Sequence, residues 1–171
     1  MLRGRMTVPM QLELEVQRST KCGDVPKDDQ FQVWAEAALS GRAGGYNLAI
    51  RIVDETEALR YNRDYRDKDY ATNVLSFPAE LPKGLPEEVR APQLGDLLIC
   101  APVVASEAVE QGRTIDDHWA HLVIHGVLHL LGYDHQGADE ATAMESLETE
   151  ILATLGISDP YIDSTLESSA S

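Results

Sequence analysis

The chain has 171 residues, enough for one domain to bury a continuous core, and its two cysteines, Cys22 and Cys100, are too few for a disulfide framework, so a reducing, cytoplasmic setting is expected. No run of about 18 apolar residues occurs and no apolar stretch follows Arg3 and Arg5, so neither a membrane span nor a signal peptide is expected. The formal charge of −15 argues against general affinity for phosphate backbones, but eight of the 29 acidic residues lie in residues 137–171, where there is no Lys or Arg, and an anionic ligand should therefore meet the front of the molecule.

Leu12 to Gln17 alternates apolar and polar residues with the period of a half-buried strand. After a loop at Cys22 to Pro26, the apolar residues Phe31, Trp34, Ala35 and Ala38 recur at helical spacing between Lys27 and Leu39, and Gly41, Gly44 and Gly45 end that pattern. Leu48 to Val53 reads as a second strand, and Glu55 to Tyr65 as a helix with acidic residues at the positive end of its dipole. Asn73 to Phe77 is a short strand that Pro78 should end or push to a sheet edge, because proline has no N–H for the ladder. Leu81 to Pro92 is a Pro- and Glu-rich loop, and with no obvious helix before the apolar strand Gly95 to Cys100, these two strands should be antiparallel.

Pro102 opens a short helix carrying Val103, Val104, Ala108 and Val109 as far as Gly112. Thr114 and Asp117 then cap a long, largely buried helix through Leu131, with Trp119, Leu122, Val123, Val127, Leu128 and Leu130 as its apolar residues. A last helix from Ala138 to Leu155 has Ala141, Met144, Leu147, Ile151 and Leu155 on one side and acids on the other. Together these give an α+β domain over residues 1–163, with a small mixed sheet of about four strands and about five helices, and a disordered tail over residues 164–171.

The chemistry concentrates in His125-Gly126-Val127-Leu128-His129-Leu130-Leu131-Gly132-Tyr133-Asp134-His135, an HxxxHxxGxxH pattern. A four-residue step on a helix overshoots a full turn by only about 40° and rises about 6 Å, so His125 and His129 share a face. Gly132 can take the left-handed conformation that stops a helix, which would let His135 approach the same point from outside. Three histidines leave a fourth position for water, the arrangement of a catalytic zinc site. His121 stands about 12 Å along the axis from His129, too far to share an ion with it, and reads as a packing or supporting residue. His118 reads as a surface residue.

The spacing gives a zincin-like metal helix, but where zincin proteases have HExxH this chain has Gly126, which cannot take a proton from water or pass one to a leaving amine. Three neutral ligands leave the site close to +2, which favours an anionic substrate such as a phosphodiester. Asp134 either stabilises the turn or serves the site, by orienting an imidazole or accepting the proton, and the sequence leaves that choice open. Asn73, Ser76 and Phe77 either line a cleft or are buried in the sheet.

The same residues resemble the YbeY family of endoribonucleases, also described as rRNA maturation factors. Its signature HGxLHLxGYDH is met by residues 125–135, a second segment by Tyr65-Arg66-Asp67-Lys68-Asp69 running into Thr72 to Pro78, and a weaker third by Gly95-Asp96. The resemblance spans roughly residues 45–155, and two long motifs in the right order make chance an unattractive explanation. It implies a metal-dependent, single-strand-specific endoribonuclease acting in 16S rRNA 3′ end maturation and ribosome quality control. One Zn2+ held by His125, His129 and His135 would be its cofactor. Single-stranded RNA, the small ribosomal subunit and assembly factors would be its partners. It also implies that Arg66 lies at the RNA cleft, where a guanidinium can fork two phosphate oxygens. Arg60, Arg63 and Lys68 lie near it in sequence, and Lys68, Asn73 and Ser76 are candidate substrate contacts on the residues alone. Two rivals remain open: a hydrolase of another substrate such as a degenerate zincin protease, and a ribosome-assembly adaptor whose zinc is structural.

Overall fold

In the computed structural model, residues 10–66, 72–78, 93–133 and 137–160 are described. β1 (Gln11–Ser19) and β2 (Gly45–Val53) pair in parallel, with Leu14 opposite Leu48 and Val16 opposite Ile50, and α1 (Asp28–Ala38) makes the crossover that parallel neighbours require. α2 (Glu55–Arg66), β3 (Val74–Pro78), β4 (Gln93–Cys100), α3 (Ala101–Gln111), α4 (Ile115–Leu130) and α5 (Ala138–Thr154) follow. The described strands form one sheet in the order β1-β2-β4-β3, with β4 parallel to β2 and antiparallel to β3. This is the mixed α+β sheet expected, and Pro78 closes β3 at the sheet edge, where a missing N–H costs no ladder bond.

Strand alternation divides the apolar residues between two faces. Ile50 and Ile52 of β2 and Leu97 and Ile99 of β4 join the main core with α1, α4 and α5, while Val53, Leu98, Cys100 and Leu75 form a smaller cluster with Ala58 of α2. In the main core Phe31 meets Trp34 and Trp119 edge-on, at centroid distances of 5.7 and 5.5 Å. Both cysteines are free, and burial pushes the Cys100 thiol up to about 11, so it packs as a neutral side chain. Among the described residues no helix is long and apolar enough to cross a membrane.

α4 lies at the centre, packed on α1, α3 and α5 and against β3 and β4. Its burial extends almost all round, which corrects one expectation: His118 is only 2% exposed, because α3 covers the start of α4 and supplies a polar partner. Two more expectations fail on helix faces. Val109 of α3 is 81% exposed, and Glu148 of α5 is fully buried rather than solvated with the other acids of that helix.

Candidate metal centre

α4 ends as Gly132 allows. With φ at +109°, Gly132 donates its N–H to the His129 carbonyl and Tyr133 donates to the Leu128 carbonyl. These two bonds form a Schellman motif, and Tyr133 completes it by packing against the core. The chain thus leaves the helix at Gly132, three residues after His129. Asp134 and His135, the next site residues, lie outside the described residues, as does Lys68.

Steps of three, four and four residues put His118, His121, His125 and His129 on one stripe of α4. Successive ring centroids lie 6.2, 6.1 and 4.6 Å apart. The Nε2 atoms of His125 and His129 face each other at 3.1 Å. Two nitrogens bound at ~2.1 Å around a tetrahedral zinc ion are about 3.4 Å apart, so this pair fits the expected cofactor with little movement.

The other nitrogen of His125, Nδ1, lies 2.7 Å from Glu148 Oε2, and His121 Nε2 lies 2.9 Å from Glu148 Oε1. His121, His125 and Glu148 thereby form a second group able to hold an ion, with ligand atoms within 4.8 Å of one another. Sequence reasoning missed Glu148. The available signal was its position four residues after Met144 and three before Ile151, a carboxylate inside an apolar stripe.

The polar chain continues away from the metal end. Arg113 reaches Nδ1 of His118 and of His121, at 3.1 and 3.3 Å, and donates to the Asp117 carbonyl. His118 Nε2 lies 2.8 Å from Glu107 Oε1, which also accepts from the Asn73 side-chain amide at 3.0 Å. Burial holds His121 below the ordinary imidazole range, helped by the charges of Arg113 and His125 and opposed by its bond to Glu148.

Burial also acts to raise the Glu107 carboxyl, but the bonds from His118 and Asn73 outweigh it and leave the group below its usual value. A depressed carboxylate contributes stability above its unfolded pKa and loses it as pH falls through the folded value. Glu107→Gln should therefore destabilise the metal-free protein near neutral pH. The gap to wild type, read by urea unfolding, should close as pH falls from about 5 to about 3. A gap independent of pH would refute the ionised Glu107.

These contacts also place the candidate substrate residues. Asn73 is engaged with Glu107, and its side-chain oxygen accepts from the Val74 N–H. Ser76 Oγ donates to the Gly126 carbonyl at 3.4 Å, so β3 runs alongside α4 from its start toward its metal end. Arg66 is the last residue of α2, two turns beyond the exposed Arg60 and one beyond the exposed Arg63. Gly126 faces the sheet: a Cβ there would lie 2.7 Å from Leu97 Cδ2 in the core. Position 126 therefore cannot carry the glutamate of a zincin protease without displacing Leu97.

Comparison with known proteins bears on this geometry. The family described as Endoribonuclease YbeY matches residues 15–156. A protein of Xanthomonas campestris pv. campestris (strain B100) named Endoribonuclease YbeY is 56% identical over 153 residues, covering 90% of this chain and 95% of its own. One of the same name from Stenotrophomonas maltophilia (strain K279a) is 57% identical with the same coverage. The solution structure of TM1509 from Thermotoga maritima superposes with a TM-score of 0.53 over 84% of this chain and 91% of that one, and at 23% identity it supports the fold alone.

Proposed function

The chain belongs to the endoribonuclease YbeY family, and from that premise we propose that it hydrolyses single-stranded RNA with one zinc ion held by His125, His129 and His135. The observation that carries this reading is the convergence of the His125 and His129 Nε2 atoms at the end of α4, beside the turn that leads to His135. When bound, the metal supplies positive charge against that developing on the phosphoryl oxygens and acidifies the attacking water. Arg66 forks the phosphate oxygens of the substrate and orients the scissile group, with Lys68 adding charge. Ser76 holds the carbonyl of Gly126 on the metal helix, and Asn73 holds Glu107 of α3, so the first ties β3 to α4 and the second ties the residue before β3 to α3. Asp134, next to a ligand, is the candidate proton acceptor.

In this reading the natural substrate is precursor 16S rRNA at its 3′ end, and the partners are the small ribosomal subunit and its assembly factors in the cytoplasm. The exposed acids at the start of α5, Asp139 and Glu140, support RNA approaching away from that end of the helix. Incubating the zinc-loaded protein with labelled single-stranded RNA, duplex RNA and unfolded protein tests it. Cleavage of the single strand alone is expected, and hydrolysis of the polypeptide alone would overturn the proposal. Arg66→Ala should slow single-strand cleavage by about 100-fold or more while leaving bound zinc unchanged, the loss expected when a preorganised charge is removed from the transition state. Unaltered cleavage would remove Arg66 from the site.

A further inference from the structure

Glu148 is the one charged side chain among the described residues that is fully withdrawn from solvent, and both of its oxygens face imidazoles on α4. A carboxylate removed from water is tolerated only where donors meet it. The proton positions around it follow from that requirement. Arg113 can only donate, so the Nδ1 atoms of His118 and His121 facing it must accept. Neutral His121 then carries its proton on Nε2 and donates to Glu148 Oε1. At the second oxygen the partner is His125 Nδ1, at 2.7 Å. Two acceptors at that distance in a buried site would repel, so Nδ1 carries the proton and the lone pair of His125 lies on Nε2. That is the atom aimed at His129.

We propose that Glu148 is the positioning residue of the metal ligand His125: it holds the ring in one orientation and in the single neutral tautomer whose Nε2 can bind the ion. The proposal rests on the metal reading given above. His121 supplies the second donor that keeps the carboxylate from turning, and Arg113, a fixed positive charge at the far nitrogen, opposes a second proton on His121. The role explains why a glutamate stands within the apolar face of α5, where a leucine would fill the volume but leave His125 free to flip. It also gives the His121, His125 and Glu148 group a different purpose from ligation. An ion there would require two N–H protons to leave and would take His125 Nδ1 away from its carboxylate.

The test uses the full chain in three measurements. Long-range 15N–1H correlation spectra of the metal-free wild type read the tautomers directly: Nδ1–H at His125 and Nε2–H at His121 are expected. Nε2–H at His125 overturns the proposal even if every variant fails to fold. Zinc affinity against a competing chelator is then compared for wild type, Glu148→Gln and His129→Ala. Glu148→Gln should bind zinc about 10- to 100-fold more weakly, the usual cost of losing a ligand's supporting carboxylate. Its His125 signal should lose the single-tautomer pattern, which mere loosening of the core would not produce. Unchanged affinity in folded Glu148→Gln refutes the proposal while leaving the metal reading intact. Zinc retained by His129→Ala but lost by Glu148→Gln makes the carboxylate a ligand and overturns both. Equal affinity in all three proteins overturns the metal reading, and with it the proposed role of Glu148.

Discussion

His129→Ala is expected to abolish both stoichiometric zinc binding and cleavage of single-stranded RNA, with the fold preserved. The residue sits in the last turn of α4, partly exposed, with its Nε2 turned to His125 rather than into the apolar core. Removing it deletes one of three proposed ligands, so the loss should exceed the roughly 100-fold that an outer partner costs. Metal analysis after gel filtration, RNA cleavage and far-UV circular dichroism read the three parts separately. Chelation of the wild type should reproduce the loss and added zinc should reverse it. Cleavage surviving intact in metal-free His129→Ala would end the assignment of this site.

Gly126→Glu, which restores the HExxH spacing of a zincin protease, is expected to unfold or severely destabilise the protein and to create no peptidase. The first carbon of any side chain at 126 meets Leu97, whose side chain is itself fully buried. Overpacking of that kind costs about 1–3 kcal/mol. A carboxylate carried into the same apolar contact without a partner adds a few more. Against a typical net stability of about 5–15 kcal/mol, that sum removes much or all of the folded state. Urea unfolding of Gly126→Ala isolates the steric part, and a drop there with a larger one in Gly126→Glu is the expected order. A Gly126→Glu protein as stable as wild type would mean that α4 does not lie on β4 in this way.

Gly126 also illustrates how a correct conclusion can have a deeper cause. From the sequence its importance is the missing proton carrier, which argues against peptide hydrolysis. In the fold the same glycine is what lets the metal helix approach the sheet, so the space a catalytic glutamate would need is already taken by Leu97. The acids of α5 teach the opposite lesson. Treating them as one solvated face is sound for Asp139 and Glu140 and wrong for Glu148, whose partners lie more than 20 residues away on another helix. His118 was misplaced for the same reason: its partners, Glu107 and Arg113, belong to α3 and the turn after it.

Strand and helix positions, the antiparallel pairing of β3 with β4, the helix stop at Gly132 and the shared face of His125 and His129 were all determined by the sequence alone. The pairing follows from a connection with no obvious crossover helix, and the others from a local period or a local backbone preference acting over a few neighbouring residues. Tertiary structure alone decided that α5 lies against α4, and so turned a glutamate among several into the partner of His121 and His125. The physical reason is that a buried charge is defined by what surrounds it. Desolvation and hydrogen-bond donors come from elements distant in the chain, and no local periodicity records which of them will meet.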